Sequence, residues 1–366
     1  MTPESITELI DIKSSATPLY IQVAESLRQR IIAGDLEPGS KLPSEAELAA
    51  SLGINHLTLR KSLRILSEQK LISQRQGRGT FVAYSPARLL RIGLIGNRFV
   101  QKTPDLYTLR IISAMNRQLN EIGGGEIILI DCNGLNGEQI LDKVNQNRCD
   151  GLIVTDNSSS LAAILCHQTF DFIPMVFINS RQPIITEAGR YEVRLAPGAI
   201  RTGLEYLMKI GHRRIAYVSA DVTANSILKQ RNAEFLEHAP PEAVPLIAPD
   251  GAFWYDNARQ TVFDLCRSAN PPTAILCPGI TFSYGAWLGA AEAGKRIPDD
   301  LAFVGFDADI NTNPYMTSLE QPFDEIASKS LELIRDMRLA GKHLKQRVYE
   351  FEAELCERGS CRPSIQ

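Results

Sequence analysis

The sequence predicts an α/β protein in two parts. A small α+β module occupies residues 1–84, a linker follows at 85–90, and a two-lobed, doubly wound domain fills 91–366. Three observations carry this. Three amphipathic helical patterns and a short hairpin lie within 18–84, with a glycine turn between the second and third helix. From residue 91 onward, short apolar runs alternate with helical patterns, as in parallel sheets with helices on both faces. Eight such runs can be counted, which suits two lobes better than one.

In the first part, Thr17-Pro18 reads as a helix start with proline at the first helical position. Val23, Ala24, Leu27 and Ile31 follow at the spacing of one buried face, and Gly34 offers the stop. The connector Glu37-Pro38-Gly39-Ser40 leads to Ser44-Glu45-Ala46-Glu47, whose S-x-x-E pattern satisfies orphan amides in both directions. A second helix then carries Leu48, Ala49 and Leu52. Gly53 permits a tight turn, Asn55 caps a third helix, and Leu59, Leu63 and Leu66 form its buried stripe. On the opposite stripe His56, Arg60 and Arg64 face solvent. That suits entry into a major groove, with residues near the helix start at base edges and their neighbours on phosphates. Two short strands at 71–75 and 80–84 are joined by Gln76-Gly77-Arg78-Gly79. The glycines of this basic wing let backbone lie close to DNA while Arg78 reaches a groove.

Charge agrees with this division. The net charge of -3 combines 10 Lys/Arg against 9 Asp/Glu in residues 1–84 with 29 against 33 in the remainder. Within 55–84 six basic residues (Arg60, Lys61, Arg64, Lys70, Arg75, Arg78) meet one acidic residue, Glu68. A local +5 on an otherwise acidic chain is drawn to a phosphate backbone, although charge alone favours a solvated helix face.

In the second part, strands are expected at 92–95, 127–130, 152–154, 175–178, 215–218, 244–247, 274–277 and 302–304. Helices are expected at 109–122, 137–147, 199–210, 226–238, 257–268, 284–294 and 324–340. A ligand would lie at the carboxyl ends of the strands, between the lobes.

Composition narrows the function. Hydrophobic residues at 44% and charged residues at 22% exclude wholesale disorder and fibrous repeats. No apolar run reaches the roughly 18 to 20 residues of a membrane span, and no basic segment followed by an apolar stretch opens the chain, so a cytoplasmic location is expected. The seven cysteines are scattered without a CxxC pair, arguing against a disulfide framework or zinc finger and for mostly buried small hydrophobes. The five histidines show no metal-ligand spacing. Gly93-x-x-Gly96 lacks the third glycine of a dinucleotide fingerprint, and no P-loop, HExxH or GxSxG is present. The expectation is a protein that is not an enzyme and carries no cofactor.

The string PLYIQVAESLRQRIIAGDLEPGSKLPSEAELAASLGINHLTLRKSLRILSEQKLISQRQGRGTFV (18–82) resembles the GntR-type winged helix-turn-helix of bacterial transcription regulators over the whole module. The resemblance implies DNA contacts from Ser44, from Asn55, His56, Thr58, Arg60 and Lys61 on the recognition helix, and from Arg75, Gly77, Arg78 and Gly79 in the wing. There are departures: Ala46 and His56 stand where such modules usually carry DNA-contacting arginines.

A second resemblance covers about 91–361. DGLIVT (150–155), IPMVFINSR (173–181), Gly211-His212-Arg213-Arg214-Ile215-Ala216, the run IPDDLAFVGFD (297–307), Gln321-Pro322 and ELCERGS (354–360) are similar to the effector-binding domain of the lactose-repressor family, a periplasmic-binding-protein-like domain. This implies two lobes joined by three crossovers, a small-molecule effector in the cleft, and a homodimer. Arg231 stands at the position of the ligand-reading arginine in R-x-x-G-F, with Glu234 replacing the glycine. Asp307 matches an aspartate that accepts from ligand hydroxyls, and Phe253 falls where a ring stacks on the ligand. Asn97 and Tyr107 lie near the first lobe's ligand-facing loop and helix start. Structural roles compete with these: an ion pair for Arg231, a helix cap for Asp307, core packing for Phe253. Where the family has an Asn-Asp pair, this chain has Gly279-Ile280, which implies a different effector or a pocket that binds none.

The function expected from both resemblances is a ligand-responsive transcription regulator, a repressor, bound as a dimer to a pseudo-palindromic double-stranded operator and switched by a sugar-like molecule. The alternative is a GntR-type module fused to an enzyme. That would need a lysine in a cofactor setting or a glycine-rich phosphate loop.

Overall fold

A computed structural model describes residues 18–33, 35–36, 39–69, 71–75, 78–83, 90–96, 106–155, 158–188, 190–220, 226–248, 254–308, 313–340 and 347–363. The chain divides into two compact units, the main boundary lying between Leu90 and Arg91, with the short segments Gly123–Gly125 and Arg335–His343 grouped with the first. Residues 85–89 of the expected linker and Gly34 fall outside the described residues, whereas Leu90, its last expected residue, already begins a strand.

The first unit contains α1 (Leu19–Ala33), α2 (Glu45–Ser51), α3 (His56–Glu68), β1 (Ile72–Arg75) and β2 (Gly79–Val82). Helix α1 starts one residue after Pro18, whose carbonyl accepts from the amides of Ile21 and Gln22; the proline therefore precedes the helix rather than opening it. The capping box of α2 is formed, since Ser44 Oγ accepts from the Glu47 amide while Glu47 accepts from the Ser44 amide at 2.9 Å. Asn55 caps α3 by accepting from the Leu57 amide at 2.8 Å. The anticipated stripes from all three helices meet in one core, joined by Leu36, Leu42, Leu71, Ile72 and Val82. Ser62 Oγ donates to the Tyr20 carbonyl at 2.8 Å and ties α3 to α1. Strands β1 and β2 pair antiparallel, Arg75 opposite Gly79.

The second unit holds two six-stranded sheets. In chain order its elements are β3 (Leu90–Gly96), α4 (Leu106–Glu121), β4 (Gly125–Asp131), α5 (Gly137–Gln146), β5 (Gly151–Val154), α6 (Ser159–Leu165), β6 (Met175–Ile178), α7 (Pro183–Glu187) and β7 (Tyr191–Leu195). There follow α8 (Ala199–Lys209), β8 (Ile215–Ala220), α9 (Ser226–His238), β9 (Val244–Ala248), α10 (Trp254–Cys266), β10 (Ala274–Leu276), α11 (Ile280–Glu292) and β11 (Ala302–Phe306). The last are β12 (Thr317–Glu320), α12 (Phe323–Ala340), β13 (Val348–Phe351) and β14 (Glu354–Cys356). One sheet runs β13-β7-β6-β5-β3-β4 and the other β14-β12-β11-β10-β8-β9. Strand β14 pairs antiparallel with β12, whereas β12-β11, β11-β10, β10-β8 and β8-β9 are parallel. The chain passes from one sheet to the other three times: after β7, after β12 and between β13 and β14.

The eight expected strands all form, and four more appear: β7, β12, β13 and β14. These four flank the crossovers, and charge hid them. Glu192 and Arg194 interrupt the apolar run of β7, yet Glu192 is 1% exposed because the Arg181 amide and Arg194 satisfy its carboxylate. Helices α6 and α7 were likewise not anticipated. Helix α11 starts at Ile280, four residues before its expected start, and so absorbs the Gly279-Ile280 departure into its cap and first residue. All seven cysteines are free, but only Cys132, Cys266 and Cys277 are buried; the other four are half-buried, correcting the expectation of mostly buried thiols. No described helix is long and apolar enough to cross a membrane.

Helices α10 and α11 pack almost backbone to backbone. A Cβ added at Gly285 or Gly289 would overlap the carbonyl of Tyr255 or Arg259. Gly289→Ala is therefore expected to destabilise the protein by about 1–3 kcal/mol, as overpacking of a well-filled interior does. The control Gly279→Ala, whose new methyl group would stand at an ordinary 3.6 Å from Phe282, should shift the urea midpoint far less.

Candidate DNA-reading face and inter-lobe site

Two sets of side chains stand out. In the first unit, His56, Leu57, Arg60, Lys61 and Arg64 are exposed along α3, and Thr58 is half-buried. Asn55 and Ser44 use their side chains as caps, which places both at helix starts, where backbone amides favour anions. Lys61 lies 5.8 Å from the centre of the Tyr20 ring. Arg78 is exposed at the end of the wing. Gly79 has φ of 109°, a conformation that calls for glycine, and a Cβ there would meet Lys41 Cε at 2.7 Å and push that side chain aside. Arg75 ends β1 opposite it, and Gly77 lies outside the described residues.

The sequence reading passed over Glu45. Its Oε2 lies 3.3 Å from both His56 Nε2 and Arg60 Nε, and its Oε1 accepts from Gln74 Nε2 at 3.5 Å. One carboxylate thus touches the recognition helix and the wing. Only the PSE string hinted at it.

In the second unit, the polar groups gather where the chain crosses between sheets. Asn179 follows β6, at the carboxyl end of a parallel strand, the end where ligand sites of such sheets form. Its φ is 54°, a left-handed value that asparagine tolerates. Its Oδ1 accepts from the Leu195 amide at 2.7 Å, and its Nδ2 donates to Tyr107 Oη and Gln321 Oε1, both at 2.8 Å. Gln321 in turn donates its amide to Asp307 Oδ1 at 3.0 Å and its Nε2 to Asp307 Oδ2 at 2.6 Å. Arg110 Nη1 reaches from α4 to the Asp307 carbonyl at 2.8 Å. Among the described residues Asp307 caps no helix; it follows β11 with φ of 56° and joins a buried hydrogen-bonded chain that runs between the two sheets.

Arg231 is aimed by its neighbours. Asn232 accepts from Ser219 Oγ at 2.6 Å and donates to the Ala220 carbonyl at 3.0 Å, while Tyr217 and Phe235 stack at 4.3 Å; together these fasten α9 to β8. Arg231 then lies over the Phe306 ring at 3.9 Å and donates to the Pro278 carbonyl at 2.5 Å. Burial lowers the pKa of its guanidinium, with the Asp307 charge the chief opposing influence. Burial also pushes the Asp307 carboxyl up to about 6, against the pull of Arg231 and of the Gln321 hydrogen bonds. Trp254 stacks on Phe282 at 5.2 Å; Phe253 and Asn97 lie outside the described residues.

Glu234, standing where the similar domains carry glycine, caps α8. Its oxygens accept from the amides of Gly198 at 3.0 Å and Ile200 at 3.3 Å, supplying the anion that glycine at the N-cap cannot.

The family described as bacterial regulatory proteins, gntR family, matches residues 19–82, and that described as periplasmic binding protein-like domain matches residues 204–361. Residues 19–82 are thus similar to the gntR-family module, and residues 204–361 to the periplasmic binding protein-like domain. It is similar to the HTH-type transcriptional repressor PurR of Escherichia coli O1:K1, 24% identical over 294 residues that make up 76% of this chain and 84% of that protein. Among solved structures, the dimeric Lac repressor with an 11-residue C-terminal deletion has a TM-score of 0.62 and 18% identity, covering 75% of this chain and 100% of that one. The LacI family transcriptional regulator from Enterococcus faecium with bound ribose has a TM-score of 0.58 and 19% identity over 75% of this chain and 100% of its own.

In the second unit, the structure brings Tyr107 and Asp307 into one network and sets Arg231 beside it. The sequence reading missed Asn179, Gln321 and Arg110, although the first two sit inside quoted strings. A polar residue immediately after an apolar strand run was the available signal.

Protonation of Asp307 gives a test of this packing. A carboxyl raised in the folded state binds its proton more tightly there than in the unfolded chain, where it titrates near 3.8. Its contribution is complete below about pH 4 and is lost as pH rises through about 6. Urea unfolding of wild type and Asp307→Asn at about pH 4.5 and about pH 7.5 should show wild type losing ground relative to the variant at the higher pH. A constant difference would contradict it.

Proposed function

We propose that the chain is a ligand-responsive transcription regulator that binds a pseudo-palindromic operator as a homodimer through the GntR-type module. A small molecule held between the lobes of the periplasmic-binding-protein-like domain switches it. The observation that carries this reading is the combination, in one chain, of an exposed basic helix with a basic wing and of a buried polar network lying where two sheets exchange strands. Repression is the sign favoured by the names of the similar proteins.

The effector is a polyhydroxylated molecule such as a sugar. Asp307 supplies an acceptor for hydroxyls, Arg231 and Arg110 supply donors, and Phe253 supplies an apolar face. The ribose bound in a similar regulator supports this class. The Gly279-Ile280 departure replaces a polar pair by a glycine and a buried apolar side chain, Ile280 being 5% exposed. An effector hydroxyl that donates to an Asp307 oxygen shares that acceptor with Gln321, which also holds Asn179. Occupancy and the arrangement of the crossovers are then one equilibrium, worth typically about 1–3 kcal/mol of coupling.

Arg60→Ala should weaken binding to an operator duplex about tenfold or more, by anisotropy, while leaving effector affinity unchanged in calorimetric titrations with sugars, nucleosides and sugar acids. Arg231→Ala should do the reverse. Equal loss of both in either variant contradicts this division of labour.

A further inference from the structure

We propose that Glu45 is the specificity-determining positioning residue of the reading head, holding Arg60 so that its guanidinium meets a guanine edge rather than a phosphate. The proposal rests on the DNA-binding reading above and goes beyond it.

Glu45 is the first residue of α2, directly after the Ser44 cap, and its side chain is 24% exposed, whereas that of Arg60 is 65% exposed. A pair this open adds little to stability, so its use must be sought elsewhere. Its geometry supplies one. The carboxylate engages Arg60 at Nε, 3.3 Å away, and no hydrogen bond among the described residues uses the two terminal nitrogens. Those nitrogens form the fork that binds guanine O6 and N7 together. An unbuttressed arginine on an exposed helix would swing to the nearest phosphate, where contact carries no sequence information. With Nε held, the fork keeps one direction.

Three further contacts fix the carboxylate. His56 Nε2 lies 3.3 Å from the same oxygen, Gln74 of β1 donates to the other, and the helix start favours the negative charge. Glu45 therefore sets the recognition helix and the wing strand against one point. It also places an anion beside the groove, which opposes indiscriminate attraction to DNA.

The test uses the full-length protein, a duplex selected by wild type from a randomised library, and a scrambled duplex of equal length. Glu45→Gln should lower the ratio of selected to scrambled affinity by about tenfold while affinity for the scrambled duplex stays level or rises. Arg60→Lys, which keeps the charge and loses the fork, should lower the ratio similarly, and the double variant should add nothing further. Glu68→Gln removes an equal charge from the exposed end of α3 and should leave the ratio unchanged. Replacing guanines one at a time by 7-deazaguanine should reveal one guanine per half-site that matters to wild type about tenfold and to Arg60→Lys hardly at all. If Glu45→Gln fails to fold, the absence of such a guanine would still overturn the proposal. Ratios within twofold of wild type for Glu45→Gln, equal losses in Glu45→Gln and Glu68→Gln, or no sensitive guanine would each overturn the proposal alone. Selection of no duplex by wild type would overturn the DNA-binding reading itself.

Discussion

Asn179 uses both side-chain donors and its side-chain oxygen to keep two sheets in one arrangement. The oxygen of its amide takes the last backbone donor of β7 before the first crossover, and the nitrogen holds Gln321 at the second. A buried amide left half-satisfied costs about 1–3 kcal/mol, so the two crossovers are constrained to move together or not at all. Arg110 and Tyr107 extend the constraint to α4, which also reaches α12 through the pairing of Arg117 with Asp324.

The same logic explains how so much charge is tolerated inside. Glu192, Arg231 and Asp307 are all at least nine-tenths buried by residue, and each has hydrogen-bonded or charged company: Glu192 with the Arg181 amide and Arg194, Arg231 with the Pro278 carbonyl and the face of Phe306, Asp307 with Gln321. Buried charges without such company are costly. Glu234 shows the principle at smaller scale: a departure from the R-x-x-G-F pattern becomes intelligible once its carboxylate is found on the open amides of α8.

Legibility in the sequence followed from how local each determinant was. The three helices of the reading head, their caps and their buried faces were readable because capping boxes and 3.6-residue stripes act within a few residues. The strands buried on both faces were readable as apolar runs. What escaped were features decided at long range. Strand β7 looked too charged because the partner that makes Glu192 tolerable, the Arg181 amide, lies eleven residues away in sequence. Gln321 is joined to an asparagine 142 residues earlier, and nothing in its own neighbourhood announces that. Glu45 lies next to a recognised cap, but its contacts come from a different helix and a strand. Tyr107, Arg231 and Asp307 were identified through resemblance, and the geometry around them came only with the fold.

The order of the strands has a consequence for dissecting the gene. Strand β13 completes the sheet begun by β3 to β7, and β14 completes the other, after α12 has carried the chain back. Neither half is an uninterrupted stretch of codons. A fragment cut at 196–198 would lack an edge strand of its own sheet, and the complementary fragment would carry a helix and a strand belonging elsewhere. Work on an isolated half would call for splicing distant segments through an artificial connector, or for co-expressing two pieces able to re-associate.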